Sequence, residues 1–245
     1  MKSKEEFDKH WKSFHLTNLS PRKKLVANFF LRPVIDKINN SKEILRVLDF
    51  GCGNGIHATV LKEQVTKNFE YTGIDISIEA IKLCKNYNFG ESNYKFLCKD
   101  IMKDKLDQRY DIIFSYGSIA YTSDPINVLS CLKKALVNNG IFVSWIYTPN
   151  ILLKFILIII RIICKLFGKT FTNFLAIFLV YTMKYLPISS GVNLSNSSFD
   201  QCKETILVNI NPINLFLPSN KKANDWFVKS NFILKHSNKY YDLFM

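Results

Sequence analysis

"VLDFGCGNG", residues 47–55, joins a short apolar run to glycines at positions 51, 53 and 55. An apolar run of this length that ends in glycines predicts a buried parallel strand, RVLDF over 46–50, followed by a tight turn. The glycines let the backbone turn sharply and approach a ligand that a Cβ would obstruct. HATVLKEQV, 57–65, then predicts a helix whose free N-terminal N–H groups can meet a polar or anionic group. A dinucleotide fingerprint G-x-G-x-x-G would need glycine at 56, where the chain has Ile56, and Asp49 stands two residues before the first glycine. Both features point away from a nicotinamide cofactor.

Outward from this turn the pattern repeats. YTGIDI (71–76), YKFLCKD (94–100), YDIIFSYG (110–117) and GIFVSWIY (140–147) predict further strands, with helices over IEAIKLCKNY (78–87) and PINVLSCLKKALV (125–137). Ser77 is placed to cap the first of these helices. Alternation of this kind predicts a doubly wound parallel sheet with ligands at the carboxyl ends of its strands, just after Phe50, Ile76, Cys98 and Ser115.

In this order VLDFGCGNG, GIDIS, CKD, YDIIFSYGSIAYTSDP and NNGIFVSWIY resemble the successive motifs of the class I S-adenosylmethionine-dependent methyltransferases. The resemblance is good over roughly 40–148 and loose at the ends. It departs at Val137-Asn138-Asn139-Gly140, where the family's turn carries a proline and a second glycine. The resemblance implies S-adenosyl-L-methionine as cofactor and an α/β, doubly wound, Rossmann-like, mostly parallel seven-stranded sheet. An antiparallel terminal hairpin and a helical lid insertion complete the expected fold.

Carried over by position, the resemblance assigns Gly51, Cys52, Gly53 and Gly55 to the methionine part of the cofactor, with Asp49 orienting that loop. Asp75 would accept from both ribose hydroxyls, as an ionised carboxylate can, and Ile76 would pack on the adenine. Asp100 would take the adenine amino group beside Ile101, and Ser115 and Tyr116 would lie near the sulfonium. No metal is implied.

For a base the candidates are His57, Tyr116 and Tyr121. Small-molecule members often carry two histidines where this chain has Ala120 and Tyr121, and a reactive methyl donor needs placement more than proton transfer. His57, at the start of its helix, could touch the cofactor's carboxylate or make a local contact only. His10, His15 and His236 are further histidines without a motif.

Nucleic acid is disfavoured as acceptor, because the fourth strand ends in Ser115-Tyr116-Gly117-Ser118 and not in the [DN]-P-P-[YFW] that handles an extruded base. Only charge speaks for it. The net charge is +13, and it is unevenly placed: 11 basic against 5 acidic residues over 1–46, 11 against 11 over 47–149, and 11 against 4 over 150–245. The six cysteines show no C-x-x-C spacing, which argues against zinc and against a disulfide framework, and a reducing, cytoplasmic setting is expected. The N-terminus lacks the apolar stretch of a secretory signal.

The expected organisation is a basic helical leader over 1–43, a cofactor-binding core over 44–148, an apolar helical insertion over 149–219, and a final helix with a terminal hairpin over 220–245. The insertion opens with Thr148-Pro149 as N-cap and N1, and its first helix runs to Gly168. Lys154, Arg161 and Lys165 fall on one narrow stripe of that helix, so a span would bury them and an interfacial position would not. FTNFLAIFLVYTMKYL, 171–186, predicts the second arm of a helical hairpin, and SSGVNLSNSSFD, 189–200, a polar segment. The function expected is methyl transfer to a small, apolar or lipid-linked acceptor, with the basic flanks and the insertion facing an anionic membrane. An RNA methyltransferase and a cofactor-binding but inactive interaction protein are the alternatives.

Overall fold

The computed structural model describes residues 2–12, 21–85, 93–106, 108–149, 151–185, 199–210, 218–237 and 242–245. Two compact units emerge, one of residues 1–148 with 218–245 and one of residues 149–217.

In the first unit β1 (Leu45–Phe50) is buried along almost its whole length and pairs in parallel with β2 (Phe69–Asp75) on one side and β4 (Tyr110–Tyr116) on the other. With β3 (Tyr94–Cys98), β5 (Leu136–Trp145), β6 (Leu234–Ser237) and β7 (Asp242–Phe244) the sheet runs β3-β2-β1-β4-β5-β7-β6. The first five strands are parallel, and β7 and β6 are short antiparallel additions at one edge. Strand order reverses between β1 and β4, which is where a doubly wound sheet opens a crevice for ligand.

Helices cover both faces. Phe30, Leu31, Val34 and Ile38 of α2 (Pro21–Asn40) and Ala58, Val60 and Leu61 of α3 (Ile56–Gln64) pack with Val47, Tyr71, Ile112, Phe114 and Val143 in one core. On the other face Phe142 meets Phe227 of α8 (Asn220–Lys229) and Phe232, and Phe227 stacks on Phe244 at 3.8 Å. The caps are as local chemistry requires. Asp124 accepts from Asn127 N at the start of α5 (Pro125–Ala135), and Ser219 accepts from Lys222 N at the start of α8.

Strand β5 begins earlier than the expected residue 140. The pairing jumps from Tyr110↔Leu136 to Ile112↔Ile141, so residues 137–140 are taken up as an irregularity inside the strand. Asn139 adopts φ 64° there, a left-handed conformation that asparagine tolerates better than most residues.

In the second unit α6 (Ile151–Tyr185) is two helical segments meeting at Gly168, whose φ of 77° breaks the helix. Cys164 from the first segment and Ala176 and Val180 from the second share a cluster with Cys202, Ile206 and Ile210 of α7 (Phe199–Ile210). Helix α7 corrects the sequence reading, which places no helix between 187 and 219. Its faces are mixed in polarity, so periodicity marks it weakly. SSGVNLSNSSFD lies outside the described residues but for its last two, and His15 lies outside them altogether. Among the described residues no helix is long and apolar enough to cross a membrane.

Phe30 is fully buried and its ring meets Phe114, His57 and Tyr116 at centroid distances of 6.1, 5.6 and 5.0 Å. Truncating it leaves a cavity between α2 and the sheet. Phe30→Ala should lower unfolding free energy by about 3–5 kcal/mol, measured by urea denaturation followed by circular dichroism.

Candidate active site

At the carboxyl end of β1 the chain must turn at once, because β2 and β4 flank it. Gly51, Gly53 and Gly55 all take positive φ, at 76°, 52° and 78°. The turn is pinned from below, since Gly51 N and Cys52 N both donate to Ile74 O, at 2.8 and 3.0 Å. A Cβ at Gly51 would collide with Ser118, and one at Gly53 would come within 2.8 Å of the Trp11 ring.

Asp75, the last residue of β2, holds the turn from the side. Its Oδ2 accepts from Gly53 N at 3.0 Å and its Oδ1 from Ser77 N at 2.9 Å. Burial pushes its carboxyl up to about 6, against the opposing pull of those two N–H groups; Asp49 and Asp8 add a smaller upward push. A carboxylate offers about four acceptor positions, so two oxygens that each take one backbone N–H can still receive two ligand hydroxyls.

Asp49 lies underneath, fully buried, with Oδ2 accepting from Tyr71 Oη at 2.7 Å. The Tyr71 phenol is raised well above its usual value by burial and then by Asp49, so it stays a donor. His57 Nδ1 is 3.6 Å from the same Asp49 oxygen, and neither His57 Nδ1 nor Asp49 Oδ1 has a hydrogen-bond partner among the described residues. The His57 ring is packed among Phe30, Phe114 and Tyr116, which makes it a core residue beneath the turn.

Cys52 is also turned inward. Its thiol lies beside Cys84 and is raised well above the usual range by burial first, while Cys84 Sγ donates to Gly53 O at 3.1 Å. Its backbone therefore shapes the turn, and its side chain supports the loop from behind.

Ile76 and Ile101 flank the end of the second and third strands, Ile101 buried and Ile76 half-buried. Asp100 is engaged in its own loop: Oδ1 accepts from Met102 N at 3.0 Å and Oδ2 pairs with Lys103 at 3.3 Å. A ligand amino group would have to compete with Lys103 for it. Ser115 is fully buried with an unpartnered Oγ among the described residues, on the face of the sheet opposite Tyr116. Tyr116 stacks on Trp145 at 4.6 Å and 10°, and burial raises its phenol, so it is neutral at physiological pH. Tyr121 ends the short turn Ser118–Tyr121 and meets Phe7 edge-on at 5.9 Å.

The sequence reading missed the residues of α1 (Lys2–Lys12) that reach this end of the sheet. Asp8 Oδ1 accepts from Ser77 Oγ at 2.5 Å and from Glu79 N at 3.4 Å, at the start of α4 (Ile78–Lys85). Trp11 faces Gly53 and Phe7 faces Tyr121. The signal was present, because positions 7, 8 and 11 share a helix face, but nothing local names their target.

Residues 41–156 match the family model described as "Methyltransferase domain". Similar proteins include the malonyl-[acyl-carrier protein] O-methyltransferase of Acetivibrio thermocellus, 31% identical over 102 residues, covering 42% of this chain and 35% of that one. The juvenile hormone acid O-methyltransferase of Bombyx mori is 34% identical over 84 residues, covering 32% and 30%. The chain thus spans about a third of the length of these curated relatives. A solved chain from the complex between the Haloferax volcanii Trm112 methyltransferase activator and a methyltransferase has the same fold, with a TM-score of 0.56 at 15% identity over 96% of this chain and 78% of that one.

The spare acceptor positions of Asp75 beside the glycine turn suit the hydroxyls of a nucleoside. The segment that carries them, residues 41–156, matches the methyltransferase-domain family, and S-adenosyl-L-methionine is the cofactor that this match supports.

Proposed function

We propose that the protein transfers the methyl group of S-adenosyl-L-methionine to a small, apolar or lipid-linked acceptor. It would do so in the cytoplasm, at the inner face of a membrane. The observation that carries the cofactor assignment is Asp75, a half-buried carboxylate held by Gly53 N and Ser77 N, with acceptor capacity to spare beside a glycine turn.

In this reading the backbones of Gly51, Cys52, Gly53 and Gly55 receive the methionine moiety, Asp75 takes the ribose hydroxyls, and Ile76 and Ile101 hold the adenine. Asp100 would meet the adenine amino group on leaving Lys103, and Asp49 keeps the turn in shape from below. Ser115 and Tyr116 border the place of the sulfonium. When bound, the cofactor supplies an electrophilic methyl group, and the protein's work is to align an acceptor with it and exclude water.

No strong base is assigned. His57 is packed in the core, and the phenol of Tyr116 is held neutral, so Tyr116 and Tyr121 serve as wall and hydrogen-bond donors to an acceptor. Relatives named for malonyl-[acyl-carrier protein] and for juvenile hormone acid support a small or carrier-linked acceptor. The inserted helices, rich in exposed isoleucine, leucine and phenylalanine, support an apolar one.

Label transfer from methyl-labelled cofactor into a fractionated cell extract tests the acceptor class. Label should enter the lipid or small-molecule fraction; label in RNA would overturn this choice of acceptor, and no transfer at all would favour a binding protein without catalysis.

Cofactor binding carries a pH signature. Ligand hydroxyls donate best to an ionised carboxylate, so affinity for S-adenosylhomocysteine should rise as pH increases through about 6, where Asp75 deprotonates. Asp75→Asn should weaken binding by about 1.5–3 kcal/mol and flatten that pH dependence, as read by calorimetry. For the free protein the sign is opposite. A carboxyl raised from 3.8 to about 6 binds its proton more tightly when folded, so its contribution to stability declines from pH 3.8 to about 6.

A further inference from the structure

Helix α6 exposes side chains that a helix buried in a protein would hide. Ile151, Phe155 and Leu166 are 75%, 60% and 76% exposed, and the second segment adds exposed Phe174, Phe178 and Tyr181 at positions four and three apart. The other side of the first segment is satisfied within its own unit, where Cys164 is buried and Ile160 packs on the cluster shared with α7.

The exposed residues are ordered around the axis. At about 100° per residue, Ile158, Ile151, Ile162, Phe155, Leu166 and Ile159 follow one another in steps of about 20°, and exposed Leu152, Ile156 and Phe167 carry the apolar arc on to about 180°. Lys165, Lys154 and Arg161 continue the same series beyond Ile158, so cations border one edge of the apolar arc. Lys165 is exposed, and the segment 151–185 holds no acidic residue.

An apolar arc with a cationic border, on a helix not apolar enough to span, is the arrangement of a helix lying in the plane of a lipid interface. Aliphatic side chains enter the acyl boundary, and lysine stems run along it and place their ammonium groups among headgroup phosphates. A soluble partner with an apolar groove would not require the cations to sit at one border with no carboxylate between them.

We propose that the first segment of α6 docks the protein on an anionic lipid bilayer, with Phe155, Ile159, Ile162 and Leu166 inserted and Lys154 and Lys165 on the headgroups. This deepens the membrane-side part of the function proposed above and rests on it, but its test does not depend on methyl transfer.

The whole 245-residue chain is floated with vesicles of phosphatidylcholine alone and of phosphatidylcholine with about a third phosphatidylglycerol. Retention is expected on the anionic vesicles, and it should fall as salt is raised to about 0.5 M, where the Debye length shrinks to a few ångströms. Lys154→Glu/Lys165→Glu should reduce retention about tenfold or more, and Phe155→Ser/Leu166→Ser should reduce it at low salt as well. Absence of wild-type retention overturns the proposal, as does equal retention of wild type and both variants. So does a wild-type dimer in light scattering that Phe155→Ser/Leu166→Ser makes monomeric, for then a second copy covers the arc. S-adenosylhomocysteine calorimetry on the same samples separates the readings. Normal heats without vesicle retention sink the docking alone, and vesicle retention without heats sinks the cofactor-site assignment alone.

Discussion

The ligand end of the sheet depends on the Asp75 carboxylate. It stands where two turns leave the sheet, and it binds one backbone N–H from each, Gly53 and Ser77. Each turn has further ties, the first through Gly51 N and Cys52 N to Ile74 O and the second through Ala80 N to Ser77 Oγ, and Asp75 joins the two. Burial makes the charge costly, as its raised carboxyl shows, and the two N–H groups offset only part of that cost. A group kept under such tension gains most from further donors, which is why the same residue that shapes the turn is suited to receive ligand hydroxyls.

Asp49 has the complementary task. It is more deeply buried than Asp75, yet its Oδ2 is met by Tyr71 Oη, and the glycine turn lies above it. Two carboxylates at the ends of neighbouring strands therefore serve different ends, one inside the fold and one at its margin. The His57 ring completes the inner arrangement by packing among Phe30, Phe114 and Tyr116. A histidine next to a glycine turn suggests chemistry in a linear sequence; its direction into the core is decided by the aromatic side chains that α2 brings from a distance.

That contrast marks how far the sequence could be read. Strands β1 to β5 and the turn at 51–55 are visible because their causes are local: apolar runs, glycines at fixed spacing, and a cap at Ser77. Asp75 is placed correctly at a strand end by the same reasoning. The attachment of Phe7, Asp8 and Trp11 to the far side of that turn is not visible, since their partners Tyr121, Ser77 and Gly53 lie tens of residues away. The orientation of Asp100 was hidden for a subtler reason. Its acceptors are claimed by Met102 N and Lys103 in the residues directly after it, and a motif read as a ligand contact does not record that competition.

The insertion poses the inverse problem. The length and apolar content of the first segment of α6 invite a reading as a span, but its three cations, gathered on one stripe, argue otherwise. The structure adds the other half of that argument. Leu157 and Cys164 face inward while Ile151, Phe155, Ile162 and Leu166 face out, so the apolar surface extends well beyond the buried side and is broken only by the cation stripe. A helix that only covered a core would need one apolar strip, with charges spread over the rest. An exposed apolar arc beside a cationic border has no use in water, where burying each of its side chains would release about 1.5–3 kcal/mol. That unrealised burial is the reason to look for lipid at this surface before looking for a soluble partner.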